Sequence, residues 1–103
     1  MTYNLIDDDF RPVATCSSVR DAVTLAKYIA AGRRARNNRQ VCIRVERLKG
    51  RDPEYVRFIV AYDNGEVVSY NIEKIRRSYG VLVESNGKWY ASVGRNTRTL
   101  SVM

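Results

Sequence analysis

The sequence predicts an α+β fold: an antiparallel β-sheet, made of a hairpin, a three-stranded meander and a C-terminal hairpin, packed by one long helix and joined by a second short helix. Three observations predict it. Val19, Ala22, Val23, Ala26, Ile29 and Ala30, widened by Leu25, recur at helical spacing in one Ala-rich stretch. Gln40–Leu48, which follows it, alternates at the two-residue period of a strand. Asn64-Gly65 and Asn86-Gly87 are tight-hairpin dipeptides, because both residues tolerate the positive φ that such turns require. Strands joined by turns this short pair antiparallel, since a parallel pair needs a much longer crossover. With 103 residues the chain is expected to be a single domain, residues 1–103, with a modest core.

In chain order, Tyr3–Ile6 and Pro12–Thr15 read as an N-terminal hairpin around Asp7-Asp8-Asp9. Pro12 suits a strand start or an edge, because it has no N–H to give to a ladder. Three consecutive carboxylates do not converge on an ion without a special loop, so the aspartates read as a solvated turn and not as a metal site. Ser18 and Asp21 have capping-box spacing at the start of the helix, and Gly32 reads as its stop after Ala31. Val23, Ala26 and Ile29 are expected to face the sheet. Gln40–Leu48 is a strand with Val41, Ile43 and Val45 on one face and Cys42, Arg44 and Glu46 on the other. Lys49–Pro53 is turn chemistry. Glu54–Tyr62 follows, with Val56, Phe58, Val60 and Tyr62 as the expected core face and Tyr55, Arg57, Ile59 and Ala61 opposite. Glu66–Tyr70 closes the meander. Asn71 caps a short helix, Ile72–Tyr79, ended by Gly80, and Val81–Glu84 and Trp89–Val93 flank the second Asn-Gly pair. Residues 94–103 read as a polar, partly mobile tail.

Composition excludes several function classes. Histidine is absent, which removes histidine acid–base catalysis and the commonest transition-metal ligand. Cys16 and Cys42 are too few for a disulfide framework and are expected to be reduced packing residues. The sequence has no phosphate-cradling glycine loop, no metal spacing and no nucleophile beside a base, so neither a cofactor nor an enzymatic activity is expected. No apolar run approaches the ~20 residues of a membrane span. The opening MTYNLIDDDF is acidic where a secretory signal is basic and apolar, so a cytoplasmic location is expected.

The net charge of +7 lies in one segment. Gly32 to Arg51 holds eight basic residues, Arg33, Arg34, Arg36, Arg39, Arg44, Arg47, Lys49 and Arg51, against Glu46 alone, and the rest of the chain carries ten basic and ten acidic groups. Arginine pairs bidentately with phosphate and stacks on bases. Asn37, Asn38 and Gln40 add neutral donors of the kind that grip a sugar–phosphate backbone. The segment therefore predicts a non-catalytic module that engages the phosphate backbone of RNA or DNA. The cations Arg33 and Arg34 also suit the C-terminal end of a helix dipole, which accounts for those two without any ligand. Secondary candidates are Tyr55 and Arg57, as a possible stacking surface, and Lys74, Arg76, Arg77 and Lys88 on the short helix and the last hairpin. The alternative is a small inhibitor or adaptor of phage-accessory type, whose basic ridge docks on an acidic surface of a nucleic-acid-processing protein. A further alternative is a histidine-free ribonuclease using Tyr55, Arg57, Lys49 or Glu54.

Overall fold

The fold starts from a hairpin and a capped helix. The structure, a computed structural model, describes residues 1–49, 52–74, 82–85, 88–93 and 96–99. The hairpin is β1 (Thr2–Ile6) and β2 (Pro12–Cys16), paired from Tyr3↔Cys16 to Ile6↔Pro12. Ser18 then caps α1 (Val19–Asn37): its backbone is extended, and its Oγ accepts the Asp21 N–H at 3.1 Å. The helix does not stop at Gly32. It runs on through Gly32 to Asn37, because Arg33, Arg34, Ala35 and Arg36 are strong helix formers that outweigh the roughly 1 kcal/mol cost of an interior glycine. The stop is Asn38, in the left-handed conformation (φ 52°, ψ 41°), whose N–H donates to the Arg34 carbonyl at 2.8 Å.

The meander is β3 (Val41–Lys49), β4 (Asp52–Ala61) and β5 (Val67–Asn71). It joins the hairpin in one five-stranded antiparallel sheet, ordered β2-β1-β3-β4-β5. Strand β1 is antiparallel to both neighbours, so β2 and β3 run the same way on either side of it, with α1 as their connection. The β3–β4 pairing extends to Lys49↔Asp52, tighter than the five-residue turn expected, with Gly50 and Arg51 outside the described residues. Pro53 is accommodated because β5 pairs with β4 only from Arg57 to Ala61, so no donor is missed there.

Packing on the helix side differs from the expectation in two ways. The row fully buried on α1 is Ala22, Ala26 and Ala30, while Val23 and Ile29 are partly buried beside it. Three alanines at intervals of four bring the helix backbone close to Leu5, Val41, Ile43, Val45, Val56, Ile59 and Ala61. On β4, moreover, Ile59 and Ala61 are the residues that face α1, since they pair with Ile43 and Val41. A bulge inserts Val56 opposite the Val45/Glu46 step and resets the alternation, which brings Val56 to the same core. Phe58 and Val60 lie on the other face with Cys42 and Arg44, and all four are buried. Strands β3 and β4 are thus buried on both faces, so Phe58–Ala61 is a continuous apolar run. Cys16 pairs across from Tyr3 and Cys42 from Val60, on opposite faces of the sheet; neither forms a disulfide.

Residues 72–103 form a second compact unit, after a first that spans Met1–Asn71. Residues 72–74 are helical, and Ile72 is buried. Strands β6 (Leu82–Ser85), β7 (Lys88–Val93) and β8 (Asn96–Thr99) form an antiparallel sheet in that order. The Ser85↔Lys88 pair leaves two positions for the turn, where Asn86-Gly87 was expected to form one. Strand β8 falls inside the stretch read as a tail, where the β-branched Thr97 and Thr99 favour a strand. Among the described residues, no helix is long and apolar enough to cross a membrane.

The alanine row yields the first prediction. Ala26→Leu should lower stability by about 1–3 kcal/mol through overpacking, and by more than Ile29→Ala does. Chemical denaturation of the two variants checks the order; a costlier Ile29→Ala would place the contact row elsewhere.

Candidate nucleic-acid interface

The arginine-rich segment meets the acidic turn at the end of α1. Asp7 is 7% exposed. Its Oδ1 accepts the N–H groups of Asp9 and Arg11, both at 2.9 Å, and its Oδ2 pairs with the Arg33 guanidinium at 3.0 Å. The turn is closed by Phe10 N–H to the Asp7 carbonyl (3.0 Å) and Asp7 N–H to the Arg11 carbonyl (2.9 Å). The expected solvated turn is therefore a turn, but its first aspartate is buried and joins the hairpin to the helix. Burial alone would push the Asp7 carboxyl up. The N–H groups of Arg11 and Asp9 and the Arg33 charge outweigh it and hold the group below the ordinary carboxylate value.

Asp8 reaches the other way and accepts the Cys42 N–H, at 3.2 Å to Oδ1. Asp8 as a residue is exposed, yet its carboxylate is partly desolvated where it turns in toward β3. That desolvation pushes it up in spite of the Cys42 N–H and the cations Arg44 and Arg39. Asp7, Asp8 and Asp9 share an open cleft with Arg33, Arg36 and Arg39. The charge that is segregated along the sequence is therefore partly neutralised in space.

The predicted binding residues divide accordingly. Arg33 is paired with Asp7, Arg34 donates to the Asp63 carbonyl, and Arg47 pairs with Glu54. Arg44 is not an outward cation. It is 4% exposed, donates to the Asp7 carbonyl at 3.1 Å, and its guanidinium carbon lies 4.6 Å from the Phe10 ring centroid and 5.5 Å from that of Phe58. Arginine is able to lie there because its planar, weakly hydrated head stacks on aromatic faces. Arg36, Asn37, Asn38 and Arg39 are exposed together, followed by exposed Gln40. Lys49 is described as the end of β3, and Arg51 lies outside the described residues.

Among the secondary candidates, Tyr55 and Arg57 are engaged within the first unit. Tyr55 packs edge-on against Phe58, with ring centroids 5.8 Å apart. Arg57 sits opposite Val45 and donates to the Val56 carbonyl and to Asn71 Oδ1. Glu54 is the partner of Arg47. Of the residues suggested for a ribonuclease, Tyr55, Arg57 and Glu54 on β4 thus have structural partners, and Lys49 ends β3. Lys74 is exposed, Arg76 and Arg77 lie outside the described residues, and Lys88 begins β7.

One residue escaped sequence reading. Tyr28 projects from α1 with 80% exposure, on the solvent side that also carries Arg20 and Lys27. The signal was available: Tyr28 lies outside the apolar helical stripe and so has no core to enter. Among the described residues, no group of His, Cys, Asp or Glu is placed to hold a metal ion. No family model, curated protein or solved structure matches this chain.

The Asp7 geometry sets a pH prediction. A carboxyl held low in the fold contributes stability that is complete above the unfolded pKa of about 3.9 and is lost as pH falls through the lower folded value. Asp7→Ala should therefore cost about 1.5–3 kcal/mol at neutral pH, as expected for hydrogen bonds to a charged group. The deficit should shrink below about pH 4. Urea unfolding across that range checks it, and a deficit that is constant down to strong acid would contradict the role of the charge.

Proposed function

We propose that this chain is a non-catalytic nucleic-acid-binding module that meets the phosphate backbone with the last turn of α1 and the connection to β3. The observation that carries this is the exposure of Arg36, Asn37, Asn38 and Arg39 as one contiguous group. Among the described residues, neither of its arginines is engaged in an ion pair, whereas Arg33 and Arg47 are. A guanidinium already matched by a carboxylate offers less to a phosphate than one that is only hydrated. A helical platform also fixes the spacing of the cations, which lowers the ordering cost of binding. Arg20 and Lys27 are further exposed cations of the same helix, whose one acidic residue is Asp21. Phosphate contacts of this kind position a ligand without reading its sequence.

A second reading is favoured by one observation. Asp8 and Asp9 lie at the same end of α1 as Arg36 and Arg39, and their charges oppose a polyanion. A mixed-sign rim suits a protein partner, such as an acidic face of a nucleic-acid-processing enzyme that the chain would inhibit or recruit.

Salt dependence separates the two. On duplex DNA the logarithm of affinity should fall linearly with log salt, by about 0.9 per phosphate neutralised, and on single strands by about 0.7. The Arg36→Glu, Arg39→Glu double variant should flatten the slope by about one to two units and weaken all sequences alike. Lys74→Glu, a change on another element, should do less. Absence of wild-type binding at low salt would leave the protein-docking reading in its place.

A further inference from the structure

We infer that Tyr28, Gly32 and Arg36 form a slot for one unpaired base, so that the preferred ligand is single-stranded nucleic acid. This rests on the nucleic-acid reading above. The three residues stand four apart on α1 and so lie along one ridge of its surface. Tyr28 is 80% exposed, an unusual setting for an aromatic ring with no polar partner to satisfy. Gly32 has no side chain to fill the space between its two neighbours. An added Cβ there would meet only the Arg36 Nη1, at 3.9 Å, an ordinary van der Waals distance, so the Arg36 head reaches back beside the glycine. An open cleft at this place is bounded by Tyr28, Gly32, Arg36, Arg33, Ile29 and Val13.

The dimensions suit a base. Residues four apart rise about 6 Å along a helix, so Tyr28 and Arg36 leave the axis about 12 Å apart; both side chains lean toward the helix N-terminus, so the spacing between them is kept. A base stacked on both sides needs about 3.4 Å to each neighbour. Tyrosine rings and guanidinium planes are the two protein surfaces on which unpaired bases stack. The slot also accounts for a glycine that α1 does not need: its backbone is helical there, and alanine would favour the helix. Arg20, two turns before Tyr28 on the same row of residues four apart, is an exposed cation beyond the slot. Stacking requires an open base face, which a duplex hides inside its own stack. Among the described residues that line the cleft there is no Asn or Gln to read base edges, so the slot is expected to be tolerant of sequence.

The test measures affinity for short labelled oligo-dT, oligo-U and a duplex by fluorescence anisotropy. Tyr28→Ala should weaken single-strand binding about 5- to 150-fold, the effect of one lost base stack, with the salt slope unchanged. Duplex binding should change little, and Tyr28→Phe should bind as the wild type does. Gly32→Leu should keep the helix, since leucine is the better helix former, and yet weaken single-strand binding by filling the slot. Circular dichroism verifies the helix in each variant. If Tyr28→Ala and Gly32→Leu both bind single strands as well as the wild type does, while the Arg36, Arg39 reversal still weakens binding, the slot is overturned and the nucleic-acid reading stands. If the wild type binds neither strand form at low salt, both are overturned.

Discussion

The first unit depends on one buried carboxylate. Asp7 leaves the end of β1, turns the chain by accepting two backbone N–H groups, and holds Arg33 of α1 across 26 residues of sequence. Buried charge is tolerable only when paired and hydrogen-bonded, and Asp7 is both. Its own carbonyl accepts Arg44 from β3, so the hairpin turn, the helix end and the central strand are registered at one residue. Asp8 adds the Cys42 N–H to the same junction. Apart from this junction, α1 is held by its alanine row, which confers close approach, and by the partly buried Val19, Val23, Leu25 and Ile29 beside it.

The junction also explains an unusual aromatic. Phe10 has φ 59°, a left-handed conformation that costs a bulky residue on the order of 1–2 kcal/mol. It lies over the Arg44 guanidinium, which Phe58 approaches from within the sheet. A desolvated cation between two rings gains on the order of 2 kcal/mol, enough to offset the strain. The turn therefore carries a phenylalanine where glycine would be easier, and its exposure of 63% is that of a lid over a buried cation.

Among the described residues, element order and type were legible in the sequence except for β8, because they rest on local signals: the alanine stripe, the strand alternation and the Asn64-Gly65 turn. What was not legible depended on distant partners. Gly32 reads locally as a stop, yet the strong helix formers after it and the left-handed Asn38 move the end to Asn37. The bulge at Val56 changes which face of β4 meets the helix, and nothing in the strand itself announces it. Arg44 alternates as an outward residue and is outward from the helix, but that face is buried too. The candidate site suffered most, because ion pairing is a tertiary property. Arginines that are alike in sequence separate into paired Arg33 and Arg47 and exposed Arg36 and Arg39 only when Asp7 and Glu54 are placed beside two of them.

The central claim is that the solvent side of α1 and its exit form the binding surface, with the arginines behind it serving the fold. The most direct measurement is a backbone amide chemical-shift titration of the whole chain with oligo-U at low salt. The account predicts shifts concentrated around Arg20, Lys27 and Tyr28 and from Arg36 to Gln40, with β4 and β5 largely silent. Shifts centred instead on the strands between residues 82 and 99, or no shifts at any concentration of oligo-U, would contradict it.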